Sequence, residues 1–283
     1  MSMMVGIGWK GRLRLCLPPI LVDAYRKWRG AGIRFVGIYA NWGQARAASL
    51  GYDADLILNK VSEAQAKVIR GEAAYERDSV VFEKIEYPFP LLAGLLRAAN
   101  EKNGKLNVID FGGSLGSTYF QCRGFLPLMA DLNWHVVEQE KFVQRGRQCF
   151  ATEQLHFFST IAESRTIMQA DVVLFCSVLQ YIEDAASYLN QAIDCGCTYI
   201  IIDRTPMSAL DEDSLCIQHV PPEVYAASYP CSIMSESKLY GLLEKQFELL
   251  ADFPALGGTG RVERSKNDLP FFYKGMIWRR RLH

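Results

Sequence analysis

No apolar run in the 283-residue chain reaches the length that a bilayer span needs. Charge of one sign is also lacking. Lys and Arg together number 31, as do Asp and Glu, so there is none of the basic excess that nucleic-acid binding usually requires. Eight cysteines are present but none form a C-x-x-C pair, which argues against a zinc site. They are scattered. Cys16, Cys149 and Cys176 fall in apolar runs, and the expectation is small core residues in a reducing, cytoplasmic setting. The dinucleotide spacing G-x-G-x-x-G is absent from the glycine stretch at 108–116, and there are no internal repeats or low-complexity tracts. At 49 % hydrophobic and 22 % charged residues, the composition is that of an ordinary globular protein. Residues 1–30 lack a signal-peptide cleavage site. Their apolar piece is flanked by Lys10, Arg12, Arg14, Arg26, Lys27 and Arg29, a pattern compatible with weak contact to an anionic membrane surface. A solvated basic helix end is the plainer account.

The chain is organised around Val108–Gly116, VIDFGGSLG. Apolar residues lead into Asp110, glycines follow at 112, 113 and 116, and a run able to start a helix begins at Ser117. This reads as a buried strand, a tight turn and a helix start, with glycine where a Cβ would block a ligand from the backbone. The alternative is a tight loop with no ligand. A carboxylate beside the loop disfavours a pyrophosphate and suits a cationic ligand. S-adenosyl-L-methionine carries a sulfonium and an ammonium and fits.

Around this stretch the pattern changes. Before residue 105, helical spacing covers 19–29, 44–50, 54–70 and 89–99, with an aromatic-rich extended or loop piece at Phe35–Trp42 and a charged segment at Tyr75–Ser79. That segment is either a solvated turn or a lid. From residue 106, strands at 106–111, 135–138, 155–158, 171–176 and 199–203 alternate with helices, and their apolar runs lack polar alternation. Two more, 247–253 and 271–278, have no helix between them and form a closing antiparallel hairpin. The expected domains are therefore a helical extension or lid over 1–104 and an α/β domain with a mostly parallel sheet over 105–283.

In such sheets the ligand sits at the carboxyl ends of the strands. Strand one ends in Asp110 and the glycines. Strand two ends in Glu138, 26 positions after Gly112, where a carboxylate can accept both ribose hydroxyls or simply open the next helix. The third ends in Ser159-Thr160, the fourth in Ser177-Val178-Leu179-Gln180-Tyr181, the fifth in Asp203-Arg204.

These pieces resemble the class I, Rossmann-like S-adenosylmethionine-dependent methyltransferases: VIDFGGSLG their glycine-rich first motif, HVVE their second, and DVVLFCSVLQYIED their fourth-strand motif. GIYANWGQARAASLGYDADLILNKV, GEAAYERDSVVFEKIEYPFPLL, YIIIDRTP, QHVPPEVYAASYP and FFYKGMIW further resemble a methyltransferase family found among bacterial surface-polysaccharide genes, from about residue 35 to the C-terminus. The resemblance implies a seven-stranded sheet with an antiparallel final strand, and methyl transfer to a sugar or glycan hydroxyl by a monomeric or homodimeric cytoplasmic enzyme without nucleic acid or metal. It assigns Asp110, Phe111, Gly112, Gly113 and Gly116 to the methionine end of the cofactor, Glu138 to the ribose, and Thr160, Ser177, Val178 and Leu179 to the adenine and sulfonium side. Tyr75, Arg77, Asp78, Tyr119, Gln180, Tyr181, Arg204, Gln218, Tyr225 and Tyr229 are candidates for the acceptor pocket. A general base would be Asp203 or His219. A nucleotide-cofactor oxidoreductase and a catalytically silent scaffold of the same fold are the competing classes.

Overall fold

The structure is a computed structural model that describes residues 32–51, 54–126, 131–222 and 227–282. The basic segment before residue 32, the helix expected at 19–29, and Tyr225 lie outside these. Among the described residues no helix is long and apolar enough to cross a membrane.

In chain order the strands are β1 (Arg34–Tyr39), β2 (Tyr75–Arg77), β3 (Val80–Phe82), β4 (Lys105–Phe111), β5 (Asp131–Val137), β6 (Leu155–Phe158), β7 (Val172–Cys176), β8 (Tyr199–Ser208), β9 (Ser214–Val220), β10 (Ala227–Ser235), β11 (Phe247–Glu263) and β12 (Leu269–Arg280). The helices are α1 (Trp42–Ala47), α2 (Ala54–Ile69), α3 (Phe89–Glu101), α4 (Ser117–Cys122), α5 (Glu140–Cys149), α6 (Ile161–Arg165), α7 (Ala185–Asp194) and α8 (Glu236–Leu243).

The main sheet has ten strands in the order β10-β9-β1-β11-β12-β8-β7-β4-β5-β6, not the seven expected. Strands β4 to β8 pair in parallel, and β12 runs antiparallel to both β8 and β11. The three added strands close a ring. β1 pairs with β11 and β9, β9 with β10, and β10 returns to β8 through Met234↔Met207 and Ser235↔Ser208. Strands β8, β12, β11, β1, β9 and β10 thus make a six-stranded barrel on the edge of the parallel sheet, with β8 common to both. Barrel closure removes the exposed edge that an open sheet would present. Its interior holds Phe35, Cys216, Cys231, Ile233, Val262, Leu269 and Phe271, one cluster drawn from five of the six strands.

The stretch before residue 105 is accordingly not helical throughout, because β1 enters the barrel and Tyr75–Phe82 folds as a hairpin. Asp78 and Ser79 take φ of 52° and 67°, the two left-handed residues of a tight hairpin turn.

Alternation along the parallel strands divides the core. Leu106, Val108, Val172, Leu174, Tyr199 and Ile201 face one layer, with α2, α3, α4 and α5. Ile109, Val173, Phe175, Ile200 and Ile202 face the other, with α7 and α8. Both faces are covered, which is why these strands carry uninterrupted apolar runs. In α2 the buried stripe is Ile57, Leu58, Val61, Ala64 and Val68, while Leu56 and Ile69 are exposed. Cys149 is exposed, contrary to its apolar neighbourhood in sequence.

Candidate functional site

The parallel strands run outward in opposite directions from β4, so the ends of β4 and β7 diverge and leave a crevice. A cleft of about 1830 Å³ opens there and extends into the barrel mouth. Its near wall is Gly112, Gly113, Ser114, Glu138, Ser177 and Val178. The glycine loop is shaped by what it must avoid. A Cβ at Gly112 would stand 2.3 Å from Val178 Cγ2, on a backbone with φ +71°. One at Gly113 would stand 2.5 Å from Asp110 Oδ2. Gly116, at φ +89°, precedes α4, packs against Leu155 and stays behind the cleft.

Asp110 is 1 % exposed and lies beneath the loop, not on the cleft wall. Its Oδ2 accepts a hydrogen bond from Trp134 Nε1 at 3.1 Å, and its Oδ1 is buried without a partner. Burial pushes its carboxyl up to about 7, with Glu138 adding to the rise and the Trp134 bond and Arg204 opposing it. Glu138 lines the cleft half-buried. Its Oε2 accepts from Gln139 N at 2.7 Å, and burial raises its carboxyl above the ordinary range.

β8 supplies the next group. Opposite Gly275 of β12 it carries two residues, Asp203 and Arg204, because the register shifts between Lys274↔Thr205 and Met276↔Ile202. Arg204 takes φ +51° in this bulge. A bulge re-aims a side chain, and here the guanidinium reaches the cleft, with Nη2 donating to Cys176 Sγ at 3.2 Å. Asp203 does not line the cleft, although its Oδ2 accepts from the same Cys176 Sγ at 3.7 Å. Its Oδ1 accepts from Arg204 N at 2.8 Å, and its carboxyl borders a separate cavity of about 140 Å³, which Arg204 and Arg77 also border.

Beyond Arg204 the cleft widens into a chamber at the barrel mouth. Tyr181 Oη donates to Gln218 Oε1 at 3.0 Å, and Gln218 Nε2 donates to Tyr229 Oη at 3.3 Å. The Tyr181 and Tyr229 rings meet edge to face at 5.4 Å, and Phe271 and Tyr273 complete the wall. Arg77, Asp78 and Glu76 reach the same cleft from the β2–β3 hairpin.

Of the residues assigned from sequence, the cleft thus gathers Gly112, Gly113, Glu138, Ser177, Val178, Arg77, Asp78, Tyr181, Arg204, Gln218 and Tyr229. Others do not line it. His219 neighbours Gln218 on β9, and strand alternation turns it to the face opposite the cleft. Asp203 is held off by the bulge. Phe111 leaves β4 on the far face and packs on Tyr188 at 4.7 Å. Leu179 is fully buried in the core beside α7. Thr160 caps α6, accepting from Glu163 N at 3.0 Å. Tyr75 is buried and stacks on Phe82 at 4.7 Å. Tyr119 is also buried, its hydroxyl donating to Gln154 Oε1 at 3.1 Å. Gln180 is 1 % exposed and donates to Ser177 Oγ at 3.2 Å. The assignment from sequence omitted Phe271 and Tyr273, and it gave Glu76 no role of its own. Glu76 sits within the Tyr75–Ser79 segment that the sequence had already marked.

No family model matches the chain, and no curated protein matches it in sequence. Solved structures do resemble it in fold. The N-terminal domain of EvdMO1, determined in the presence of SAH and D-fucose, is similar over 81 % of this chain and 98 % of its own, at 15 % identity and a TM-score of 0.44. An S-adenosylmethionine-dependent methyltransferase from Clostridium acetobutylicum ATCC 824 covers 77 % of this chain and 98 % of its own, at 12 % identity and a TM-score of 0.42. Magnesium protoporphyrin IX methyltransferase (ChlM) from Synechocystis PCC 6803, with SAM bound, covers 97 % and 99 %, at 13 % identity and a TM-score of 0.38. At these values the likeness bears on neither activity nor substrate.

Proposed function

We propose that the cleft binds S-adenosyl-L-methionine and that the protein transfers its methyl group to a hydroxyl of a sugar or glycan precursor. The observation that carries this is Asp110: a buried carboxyl with an orphaned oxygen, beneath a loop that must be glycine at 113, at the point where the sheet's crossovers diverge. The residues present fit that cofactor. Gly112 and Gly113 line the cleft without side chains, their Cβ directions being taken up by Val178 and Asp110. Glu138, at the end of β5, offers a carboxylate to the two ribose hydroxyls. Ser177 and Val178 close the other side.

When bound, the cofactor supplies an electrophilic methyl group on a cationic sulfur. The chain's own share is then mostly positioning, since in-line displacement depends on holding the acceptor oxygen near and aligned. The chamber is suited to a polyhydroxyl acceptor. Tyr181, Gln218 and Tyr229 offer neutral hydrogen bonds, and aromatic faces line the wall. The surface-polysaccharide context is implied only by the sequence resemblance and enters as part of this proposal.

Calorimetric titration with S-adenosylhomocysteine tests it. Wild type should bind, and Glu138→Ala should lose at least about tenfold in affinity with the loss of charge-assisted hydrogen bonds. Well-folded wild type that binds none overturns the reading.

A further inference from the structure

Besides Glu138, the acid on the cleft wall beside the glycine loop is Glu76, not Asp110. It sits on the β2–β3 hairpin, 2 % exposed, and lines the cleft with Gly113, Ser114 and Ser117. Two donors fix its carboxyl: Ser117 Oγ donates to Oε1, and Ser79 N donates to Oε2 at 3.2 Å. Among the described residues no basic side chain forms an ion pair with it. Burial holds its carboxyl up at about 7, and the nearby Asp78 adds to this. Ser117, the Ser79 amide and Arg204 pull it down. The hairpin thus holds a carboxyl at the cleft surface in one orientation, with no ion-pair partner among the described residues. Asp110 Oδ1 is a second buried acceptor without a hydrogen-bond partner beneath the same loop.

We propose that Glu76 forms an ammonium subsite that takes the α-amino group of the cofactor's amino-acid end and lays that end across the Gly112–Gly113 turn. The proposal rests on the cofactor reading above. Each carboxylate oxygen already accepts one hydrogen bond and has a lone pair left for an ammonium donor. The hairpin becomes part of the cofactor site, and the segment Tyr75–Ser79 acquires a role distinct from acceptor binding.

The test uses two ligands that share the adenosine and the thioether. S-adenosylhomocysteine has the amino-acid end, and 5′-methylthioadenosine lacks it. Both are titrated calorimetrically into wild type, Glu76→Gln and Glu138→Ala. Glu76→Gln should weaken S-adenosylhomocysteine by at least about tenfold, the low end for removing one partner of a desolvated charge pair. It should leave 5′-methylthioadenosine within about twofold, whereas Glu138→Ala should weaken both ligands. Equal weakening of both ligands by Glu76→Gln, or weakening of neither, overturns the proposal. Wild type that binds neither ligand removes the cofactor reading itself.

A second measurement needs no variant. Near pH 7, an ammonium drawn to Glu76 drives the carboxyl to ionise, so wild type should release a proton on binding S-adenosylhomocysteine but not 5′-methylthioadenosine. Titration in phosphate and in Tris, buffers of different ionisation enthalpy, reads that release. Asp78, Arg204 and Ser117 are the groups acting on Glu76, and they are common to both titrations. Identical buffer dependence for the two ligands refutes the subsite.

Discussion

Gly113→Ala isolates one steric feature of the loop. A Cβ at residue 113 stands 2.5 Å from Asp110 Oδ2, 2.6 Å from its Cγ and 3.0 Å from its Oδ1. The shortest of these lies about 0.9 Å inside the 3.4 Å at which ordinary contact begins. Unlike Gly112 and Gly116, Gly113 does not have a positive φ, so no backbone strain accompanies the substitution. Asp110 has nowhere to move, being 1 % exposed and tied to Trp134 Nε1. Overpacking of this kind costs about 1–3 kcal/mol. Asp110→Ala carries its own cost, because it leaves the Trp134 Nε1–H unpaired, about 1–3 kcal/mol, partly offset by removal of a buried carboxyl with an orphaned oxygen. In that background the three atoms nearest the new Cβ are gone, and Gly113→Ala should cost close to nothing. The double mutant is then more stable than the sum of the singles by ~1–3 kcal/mol. Urea denaturation of the four proteins, compared at equal m, measures this coupling. Costs that add to within about 0.5 kcal/mol refute the account of Gly113 as the lid on a buried carboxyl.

Two further outcomes follow from the same geometry. Asp110 and Glu76 are raised to about 7 from ordinary values of 3.8 and 4.5. Between those limits the native state keeps protons that the unfolded chain has released. These groups therefore stabilise the fold relative to its high-pH level below about pH 4 and lose that contribution as the pH rises to about 7. Wild type should lose stability relative to Asp110→Asn between pH 5 and 8 in urea melts, and a difference that stays flat or grows with pH contradicts this. In the chamber, Tyr181→Phe strands the buried Gln218 Oε1 and should cost about 1–3 kcal/mol in urea denaturation, with affinity for S-adenosylhomocysteine unchanged. A loss of cofactor affinity would merge two sites that the structure separates.

The sequence by itself determined the parallel half of the sheet. β4, β5, β6, β7 and β8 are covered on both faces, and continuous apolar runs leave little choice of element. The glycine loop and Glu138 were legible for a related reason: they stand where those runs end, and strand ends are where such sheets place ligands. The barrel was not legible. β9 and β10 carry Gln218, His219, Ser228, Pro230 and Ser232 among their apolar residues, and their pairing depends on β1 and on the far end of β8. β1 in turn pairs with β11 more than two hundred positions away, Phe35 opposite Val262. Local pattern cannot report partners at that distance. The acceptor side of the site inherits this limit. His219 and Gln218 are adjacent in sequence, and only the existence and register of β9 decide that Gln218 faces the chamber and His219 does not. Asp203 and Arg204 are likewise adjacent, and only the bulge against Gly275 decides which of them reaches the cleft. Residue types and motif spacing are local properties of the chain, whereas the direction a side chain points along a strand depends on a register set by non-local pairing.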